Sequence, residues 1–450
     1  MRKVTSVLRN ASIDRAVVYA LSARAWGLLS SILMLFLILR FMTPEEQGYY
    51  YTFSAILAAQ ILIDLGMGVV ATQFASHCMA HLSWGRHSRL TGEEAAKARL
   101  RSLVNIMVRW YGIAAIVIIV VLGPAGYLFF SKSNLVSPVH WQIPWAWLIL
   151  AAACNIITQP LLAILEGCNR VEEVARLRLV QNIAGSITAW VTLLAGGGLL
   201  ALPAWNSMLA IFAGLYLLKG HGTFLRDMLL VRNDAEQGVD WKTEIWPLQW
   251  RIAVSWISGY FIYQLFVPVL FRAQGPVEAG KMGLSLAVAN ALLALPLAWL
   301  NTKSPGFGAL IARRDHAQLD SIFSHTLRVT LALLVFGGVV LIAANQILQH
   351  GYPRIGSRFL PFAPFAMLIC ATIFNYITIA QATYLRAHKK EPFLVLSIVS
   401  GLAISLSTVT TAGKFGALGV MTGYLACVGI IGLGWGTYIF VTKRREYKMV

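Results

Sequence analysis

The chain has 450 residues, of which 58% are hydrophobic and 12% are charged. An ordinary soluble domain carries about 25% charged residues, so this composition, with a mean hydropathy of +0.67, excludes a soluble enzyme or binding module. It indicates a polytopic membrane protein. The net charge of +18 is compatible with a nucleic-acid partner, but the distribution of that charge along the chain argues against one.

Twelve stretches are long and apolar enough to span a membrane, since a spanning helix needs about 20 mostly apolar residues. The first is too long for a signal-peptide core and is predicted to be a retained span. The sequence therefore predicts an all-α fold with about twelve transmembrane helices. The stretches are 15–39, 47–72, 103–126, 143–166, 175–199, 203–220, 245–271, 280–302, 322–346, 360–384, 391–411 and 416–441.

A short motif occurs twice and divides the chain. Arg-x-x-x-Pro-x-Glu-x-Gly is found at 40–48 and again, 232 residues later, at 272–280. Each copy lies between the first and second spans of its half, and two similar membrane halves are typical of alternating-access transporters. We therefore predict an N-terminal six-helix lobe at 1–220, a solvated cytoplasmic linker at 221–244 and a C-terminal six-helix lobe at 245–450.

Basic residues predict the orientation. With the N-terminus inside, 26 of the 37 Lys and Arg residues fall on cytoplasmic segments and only six fall outside. This asymmetry is the positive-inside signature and predicts that both termini are cytoplasmic. The other five are assigned to the spans themselves and are Arg24, Arg109, Arg251, Lys281 and Arg328, whereas basic residues at the cytoplasmic ends of spans (Arg15, Arg176, Arg178 and Lys219) are counted with the cytoplasmic segments.

Arg24 is the strongest candidate for a functional charge. Starting from residue 16, it lies about 12 Å into the membrane, where an arginine costs about 2.5–3.5 kcal/mol even on the mildest scale. Gly27 and Ser31 follow at i+3 and i+7, so a small and polar stripe accompanies the charge. The alternative is an arginine that reaches the cytoplasmic headgroups. Arg251 begins a similar stripe in the seventh span, but its shallower position leaves the two interpretations equal.

Asp64 is the acidic residue that lies deepest in a span, at a depth comparable to Arg24 and beside Gly66 and Gly68. An ion pair between Arg24 and Asp64 would lower the cost of both charges and would open when an anionic substrate competes for the arginine. A structural role at a helix irregularity is the equal alternative, and cation coupling through Asp64 is a weaker one.

The sequence gives no sign of a cofactor, a metal centre or an ATP site. His77 and His81 have i, i+4 spacing, but no HExxH pattern and no third ligand accompany them. No phosphate-binding GxxxxGK[ST] loop is present. The five cysteines form no CxxC pair and predict neither a disulfide framework nor a zinc site.

Several short segments resemble one known family. TPEEQGYY at 43–50, DLG at 64–66, QFAS at 73–76, LEG at 165–167 and RLR at 176–178 are similar to the bacterial polysaccharide-biosynthesis membrane proteins. These belong to the multidrug/oligosaccharidyl-lipid/polysaccharide exporter superfamily. The resemblance covers the first 200 residues well and the second half mainly by span pattern.

The resemblance implies two six-helix bundles around a central cavity in the bacterial cytoplasmic (inner) membrane. The implied activity is the flipping of an undecaprenyl-pyrophosphate-linked oligosaccharide to the external leaflet, beside a polysaccharide polymerase or glycosyltransferases. Flippases of this superfamily line the cavity with cationic residues, and Arg24 matches one in the first helix. Arg251 is a loose counterpart in the other lobe. Polar walls for the sugar are available within spans at Gln264, Asn290, Asn375 and Gln381.

Two other functions compete with the flippase. A cation-coupled multidrug exporter of the same fold favours carboxylates in its cavity, whereas these spans are net positive, so it ranks second. A membrane-embedded glycan polymerase or ligase is an enzyme and needs a substantial external loop with acid, base or phosphate-binding groups. The predicted external connections are short and nearly uncharged, which argues against an enzyme.

Overall fold

The computed structural model describes residues 15–85, 88–132, 139–230, 240–388 and 390–449. The chain forms two compact units. The first comprises the described parts of 1–41, 59–134 and 140–253, and the second those of 42–58, 135–139 and 254–450. The segment 42–58, which carries most of the first motif copy, thus belongs with the second unit. The predicted lobe boundaries stay a prediction, because compactness alone assigns this segment.

Helices account for almost all of the described chain, because a membrane-embedded backbone must satisfy its own hydrogen bonds. In the first half they are Arg15–Phe41 (α1), Pro44–Leu57 (α2), Ile61–Asp64 (α3), Met67–Met79 (α4), Glu94–Val117 (α5), Gly123–Ser131 (α6), Gln142–Gly167 (α7), Val171–Leu194 (α8), Ala201–Leu215 (α9) and His221–Leu229 (α10). In the second half they are Trp246–Tyr263 (α11), Phe266–Gln274 (α12), Pro276–Ala312 (α13), His316–Gly351 (α14), Pro353–Gly356 (α15), Phe362–Arg386 (α16), Leu394–Cys427 (α17) and Gly436–Met449 (α18).

Shorter elements join some of these helices. The strands Leu82–Trp84 (β1) and Leu90–Gly92 (β2) form an antiparallel hairpin with Ser83 opposite Thr91. Single 3₁₀ turns occupy Ala58–Gln60 and Gly198–Leu200. Wider π-helical segments occupy Ile118–Leu122, Tyr216–Gly220, Trp241–Ile245 and Val428–Trp435.

The helices confirm the predicted all-α polytopic fold. Within the described ranges, nine helices are long and apolar enough to span a membrane, and a tenth span is formed if the bent pair Pro44–Asp64 and Met67–Met79 is counted as one. Two further predicted spans are accounted for in other ways. Helix α8 corresponds to one but is less apolar. The φ of 56° at Gly416 divides the long helix α17, so that its two parts correspond to the last two predicted spans. Each of the twelve predicted spans therefore has a helical counterpart.

The second predicted span is broken near its middle. Leu65 and Gly66 both adopt left-handed backbone angles, with φ of 49° and 73°, and they separate α3 from α4. The two parts are bent by 43°. A left-handed leucine is unusual because its Cβ crowds the backbone. Contacts with surrounding residues must therefore stabilise this conformation. The glycine that follows is the residue that adopts this conformation most readily.

The segment expected to be a solvated linker is packed at both ends. Its first part is helix α10, in which His221, Phe224 and Met228 are buried. At its other end Trp241 stacks on Trp110, with ring centroids 5.4 Å apart, and Glu244 pairs with Arg99. The amphipathic pattern of α10 explains the difference. The middle, 231–239, lies outside the described residues.

The two motif copies pack directly against each other in the second unit, through helices α2 and α13. A Cβ atom on Gly48 would overlap the backbone of Pro276, and one on Gly280 would lie 2.9 Å from the Gly48 nitrogen and 3.2 Å from the Pro44 carbonyl oxygen. Glycine is required at this crossing because the backbones approach so closely. The repeat thus marks a helix–helix contact.

A buried arginine, 8% exposed, holds the same contact. Arg358 donates from Nε to Gln47 Oε1 at 2.7 Å and from Nη2 to the Met42 carbonyl at 2.7 Å. Gln47 Nε2 in turn donates to the Gly280 carbonyl at 2.7 Å. Burial lowers the pKa of Arg358, and the nearby carboxylates of Glu45 and Glu46 oppose that shift.

Candidate substrate-binding residues

Arg24 lies on helix α1, which packs on α8. The contact is aromatic and polar: Trp26 Nε1 donates to Ser186 Oγ at 2.9 Å, and the Trp26 and Trp190 rings lie 5.9 Å apart. Ser30, one turn further along α1, is buried and donates to the Gly27 carbonyl at 3.1 Å. These contacts fix the rotation of α1 and therefore the direction of its other faces.

The Arg24 side chain is exposed in the first unit, and no hydrogen bond or ion pair holds it among the described residues. At about 100° per residue, Arg24 and the exposed Ser31 share an edge of α1. That edge lies between the packed face of Trp26 and an exposed apolar face with Leu29 and Phe36. A guanidinium without an internal partner is available to an anion, and the role of Arg24 in binding one stays a prediction.

The expected ion pair between Arg24 and Asp64 is absent from the described structure. The Asp64 carboxylate instead accepts a hydrogen bond from the hydroxyl of Tyr111 on helix α5, a residue that is 1% exposed. The backbone N–H of Gly66 is a second partner. Asp64 therefore supports the helix break, as the structural alternative proposed, and leaves Arg24 unpaired.

The same break is held by the residue before Tyr111. Trp110 Nε1 donates to the Ile63 carbonyl at 3.2 Å, which the change of direction at Leu65 leaves accessible. Sequence reasoning missed both α5 residues. The only available signal was the adjacent Trp–Tyr pair in the middle of an apolar stretch, and such a pair is also common at a membrane interface.

Arg251 lies on helix α11, but its side chain is outside the described part of the structure. Gln264 and Asn290 are exposed. Gln264 occupies the interruption between α11 and α12, where its backbone N–H donates to the Tyr260 carbonyl at 2.9 Å. Asn290 lies within α13. Both side chains are thus accessible, as a polar wall requires, but the described contacts do not bring them to one place.

Asn375 and Gln381 share helix α16 and have different environments. Asn375 Nδ2 donates to Tyr424 Oη at 2.5 Å, and the residue lines a cavity in the second unit of about 290 Å³. Gln381 is 5% exposed and donates to Thr437 Oγ1 at 3.0 Å. The structure therefore places Asn375 at a cavity, whereas Gln381 lies in a helix–helix contact.

The first unit contains a larger cavity, of about 700 Å³, at the ends of α4 and α5. Its arginine is already paired, since Arg99 contacts Glu244, and His81 Nδ1 lies 3.4 Å from Glu93 Oε2. The lining therefore provides no unpaired arginine or lysine to attract an anion. Among the described residues, no three His, Cys, Asp or Glu side chains are grouped to hold a metal ion.

No protein-family model matches the chain, and no curated protein matches it either. Solved structures do match. An inward-facing multidrug resistance MATE family transporter of the MOP superfamily has a TM-score of 0.64 at 14% identity, covering 96% of both chains. The MATE multidrug transporter DinF-BH, in a complex with a ligand, has a TM-score of 0.61 at 13% identity, covering 97% of this chain and 96% of the other.

A third match is a flippase. The lipid II flippase MurJ in an inward closed conformation has a TM-score of 0.57 at 12% identity, covering 96% of this chain and 90% of the other. The chain therefore has the fold of membrane transporters built from two helical bundles. More narrowly, it is the fold of the MOP superfamily of exporters and flippases, which confirms the family resemblance at the level of the fold.

Proposed function

We propose that the protein is a flippase that moves an undecaprenyl-pyrophosphate-linked oligosaccharide from the cytoplasmic to the external leaflet of the bacterial inner membrane. In this proposal it works by alternating access in surface polysaccharide biosynthesis. The observation that carries the proposal is Arg24, an exposed guanidinium within a transmembrane helix. The carboxylate of Asp64, which an ion pair with Arg24 would need, accepts a hydrogen bond from Tyr111 instead.

The chemistry of a pyrophosphate fits an unpaired arginine. A guanidinium offers rigid, paired donors that match two phosphate oxygens, and charge-assisted bonds of this kind are stronger than neutral ones. An arginine within the bilayer is costly unless it meets an anion, backbone carbonyls or water. Binding of the pyrophosphate would lower that cost, and release at the other leaflet would restore it. The lipid tail would remain in the bilayer.

A multidrug exporter is the second candidate, because two of the similar structures described above are multidrug transporters. A cationic drug needs an accessible carboxylate, and Asp64 is the acidic residue that such a drug would use. Its hydrogen bond from Tyr111 competes with that role. The unpaired charge of Arg24 in the first unit is positive, and this favours an anionic substrate.

The test measures the pool of lipid-linked oligosaccharide by mass spectrometry in a strain that lacks the gene. Restoring the wild-type gene is expected to clear an accumulated cytoplasmic pool and to restore surface polysaccharide. Arg24→Ala is expected to leave at least a tenfold accumulation, since a factor of ten corresponds to about 1.4 kcal/mol of lost binding. Arg24→Lys is expected to restore part of the activity, because it keeps the charge but loses the bidentate geometry.

Arg109→Ala is the matched control, because Arg109 is a second exposed arginine in a transmembrane helix of the first unit. It is expected to behave as wild type. Equal pools with Arg24→Ala and Arg109→Ala, at equal membrane levels, would contradict capture by Arg24. A pool that deletion leaves unchanged, with greater sensitivity to cationic compounds, would support the multidrug exporter instead.

A further inference from the structure

The cavity beside Asn375 lies wholly within the second unit, between helices α11, α16 and α17 and the π-helical segment Val428–Trp435. Its volume is about 290 Å³. Small-molecule sites occupy about 300–1,000 Å³, so the cavity has the size of a site for a compact ligand. A bare monovalent ion would leave most of it empty.

Three of the polar residues that line the cavity retain hydrogen-bond acceptors. Ser397 and Thr378 donate their hydroxyl protons to carbonyl groups one turn earlier in their own helices, at 3.0 and 3.2 Å. A hydroxyl has one proton and two lone pairs, so what these residues retain is acceptor capacity. Asn375 donates to Tyr424, and its Oδ1 atom remains as a further acceptor. A ligand that donates hydrogen bonds can therefore be bound by these three residues.

The remaining walls are apolar, and the charge at the cavity is balanced. Ile262, Phe393 and Leu396 contribute hydrocarbon surface. Arg386, the charged residue in the lining, is paired with Glu391 at 3.0 Å. A neutral ligand with hydroxyl groups on its rim and C–H groups on its faces fits both kinds of wall. A sugar ring has this character.

We propose that this cavity binds one neutral sugar unit of the substrate. The identity of that substrate rests on the flippase proposal, whereas the presence of a sugar site does not. Asn375, Thr378 and Ser397 accept hydrogen bonds from the sugar hydroxyls, and the apolar walls cover a ring face. The site contributes specificity for the glycan, separately from the charge of the pyrophosphate.

The test uses saturation-transfer difference NMR on the purified full-length protein in nanodiscs. The probes are methyl glycosides of glucose, galactose, mannose and N-acetylglucosamine. Gly259→Leu places a side chain in the cavity, since a Cβ atom at Gly259 meets nothing within 4 Å. Gly413→Leu is the control, because Gly413 is equally open and lies in the same unit away from the cavity. Asn375→Leu removes one acceptor without filling the cavity.

At least one glycoside is expected to give a signal with the wild type and with Gly413→Leu, and to lose it with Gly259→Leu. Asn375→Leu is expected to weaken it. Signals that persist in Gly259→Leu, or no signal from any glycoside with the wild type, would overturn the proposal. A sodium-dependent rise in melting temperature that Gly259→Leu abolishes, without a glycoside signal, would identify a cation site and overturn it as well.

A different measurement tests the flippase proposal. An unchanged lipid-linked pool in the deletion strain, together with glycoside signals that depend on Gly259, would reject the flippase and leave the sugar site standing. Accumulation of the pool without any glycoside signal would support the flippase and reject the sugar site.

Discussion

The two copies of the Arg-x-x-x-Pro-x-Glu-x-Gly motif have the same spacing but different local contacts. In the first copy Thr43 caps helix α2: its hydroxyl accepts from the Glu46 backbone at 3.1 Å, while Glu46 accepts from the Thr43 backbone at 2.9 Å. In the second copy the position of Thr43 is occupied by Gly275, with φ of 93°. Glu278 has no cap to complete there and pairs with Lys281 at 2.6 Å.

The comparison separates what the repeat needs from what each copy adds. Both copies keep the proline that starts a helix and the glycine at the crossing of α2 and α13. The residue before the glycine differs: Gln47 reaches the Gly280 carbonyl and Arg358, whereas the corresponding Ala279 is buried without a polar side chain. Close packing is therefore the shared function, and the polar contacts are made from one side only.

The largest expected effect comes from breaking the shared feature. Gly48→Ala is expected to cost about 3 kcal/mol, the upper end for overpacking, because its Cβ overlaps the Pro276 backbone. Gly280→Ala is expected to cost less, since its nearest contacts of 2.9 to 3.2 Å require smaller shifts. The measurement is the melting temperature of the purified protein in detergent.

Gly27→Ala serves as the control for that series, because a Cβ atom there meets nothing within 4 Å. In a helix interior, alanine is favoured over glycine by about 1 kcal/mol, so this variant is expected to match or exceed the wild type. A melting temperature for Gly48→Ala at or above that of Gly27→Ala would show that the two backbones do not approach as described.

The polar contact made from one side is the next feature to break. Arg358→Ala leaves Gln47 Oε1 and the Met42 carbonyl buried without their donor, and this is expected to cost about 2 kcal/mol. Arg354→Ala is the matched control: Arg354 lies four residues earlier, in helix α15, and is exposed, and its loss is expected to change stability by less than about 0.5 kcal/mol. Equal melting temperatures for the two variants would contradict the buried role of Arg358.

Sequence periodicity and composition were sufficient to predict the all-α class of the fold and its spans. Each of the twelve spans was predicted because about twenty apolar residues leave the backbone few alternatives to a helix. The interruption of the second span was also suggested, by the glycines after Asp64. What the sequence did not provide was the packing of segment 42–58 in the second unit, because a compact unit is defined by contacts between residues far apart in the chain.

The candidate site was predicted less completely. An arginine in an apolar stretch is conspicuous, so Arg24 was selected as a candidate; its side chain is exposed in the structure, and its role stays a prediction. Of the two roles that the sequence left open for Asp64, the ion pair with Arg24 is not seen among the described residues, because depth along two spans does not give the direction of the side chains. In the structure Asp64 contacts Tyr111 instead. The acceptor character of the cavity at Ser397 was also invisible, since it depends on where each hydroxyl proton is donated.

The smallest effects are expected from changes to the contacts that only one copy of the motif makes. Thr43→Ala removes the hydroxyl that caps α2 and is expected to cost about 1 kcal/mol, whereas Glu278→Gln weakens an i, i+3 pair worth about 0.2–0.5 kcal/mol. Glu46→Gln retains an oxygen acceptor for the Thr43 backbone and is expected to lie near the wild type. Denaturant titration with a helix-sensitive signal would rank the three. A larger loss of stability in Glu278→Gln than in Thr43→Ala would contradict this ranking. The ion pair of the second copy would then stabilise its helix more than the cap stabilises the first, and Gly275 in place of a capping residue would cause no net loss of stability.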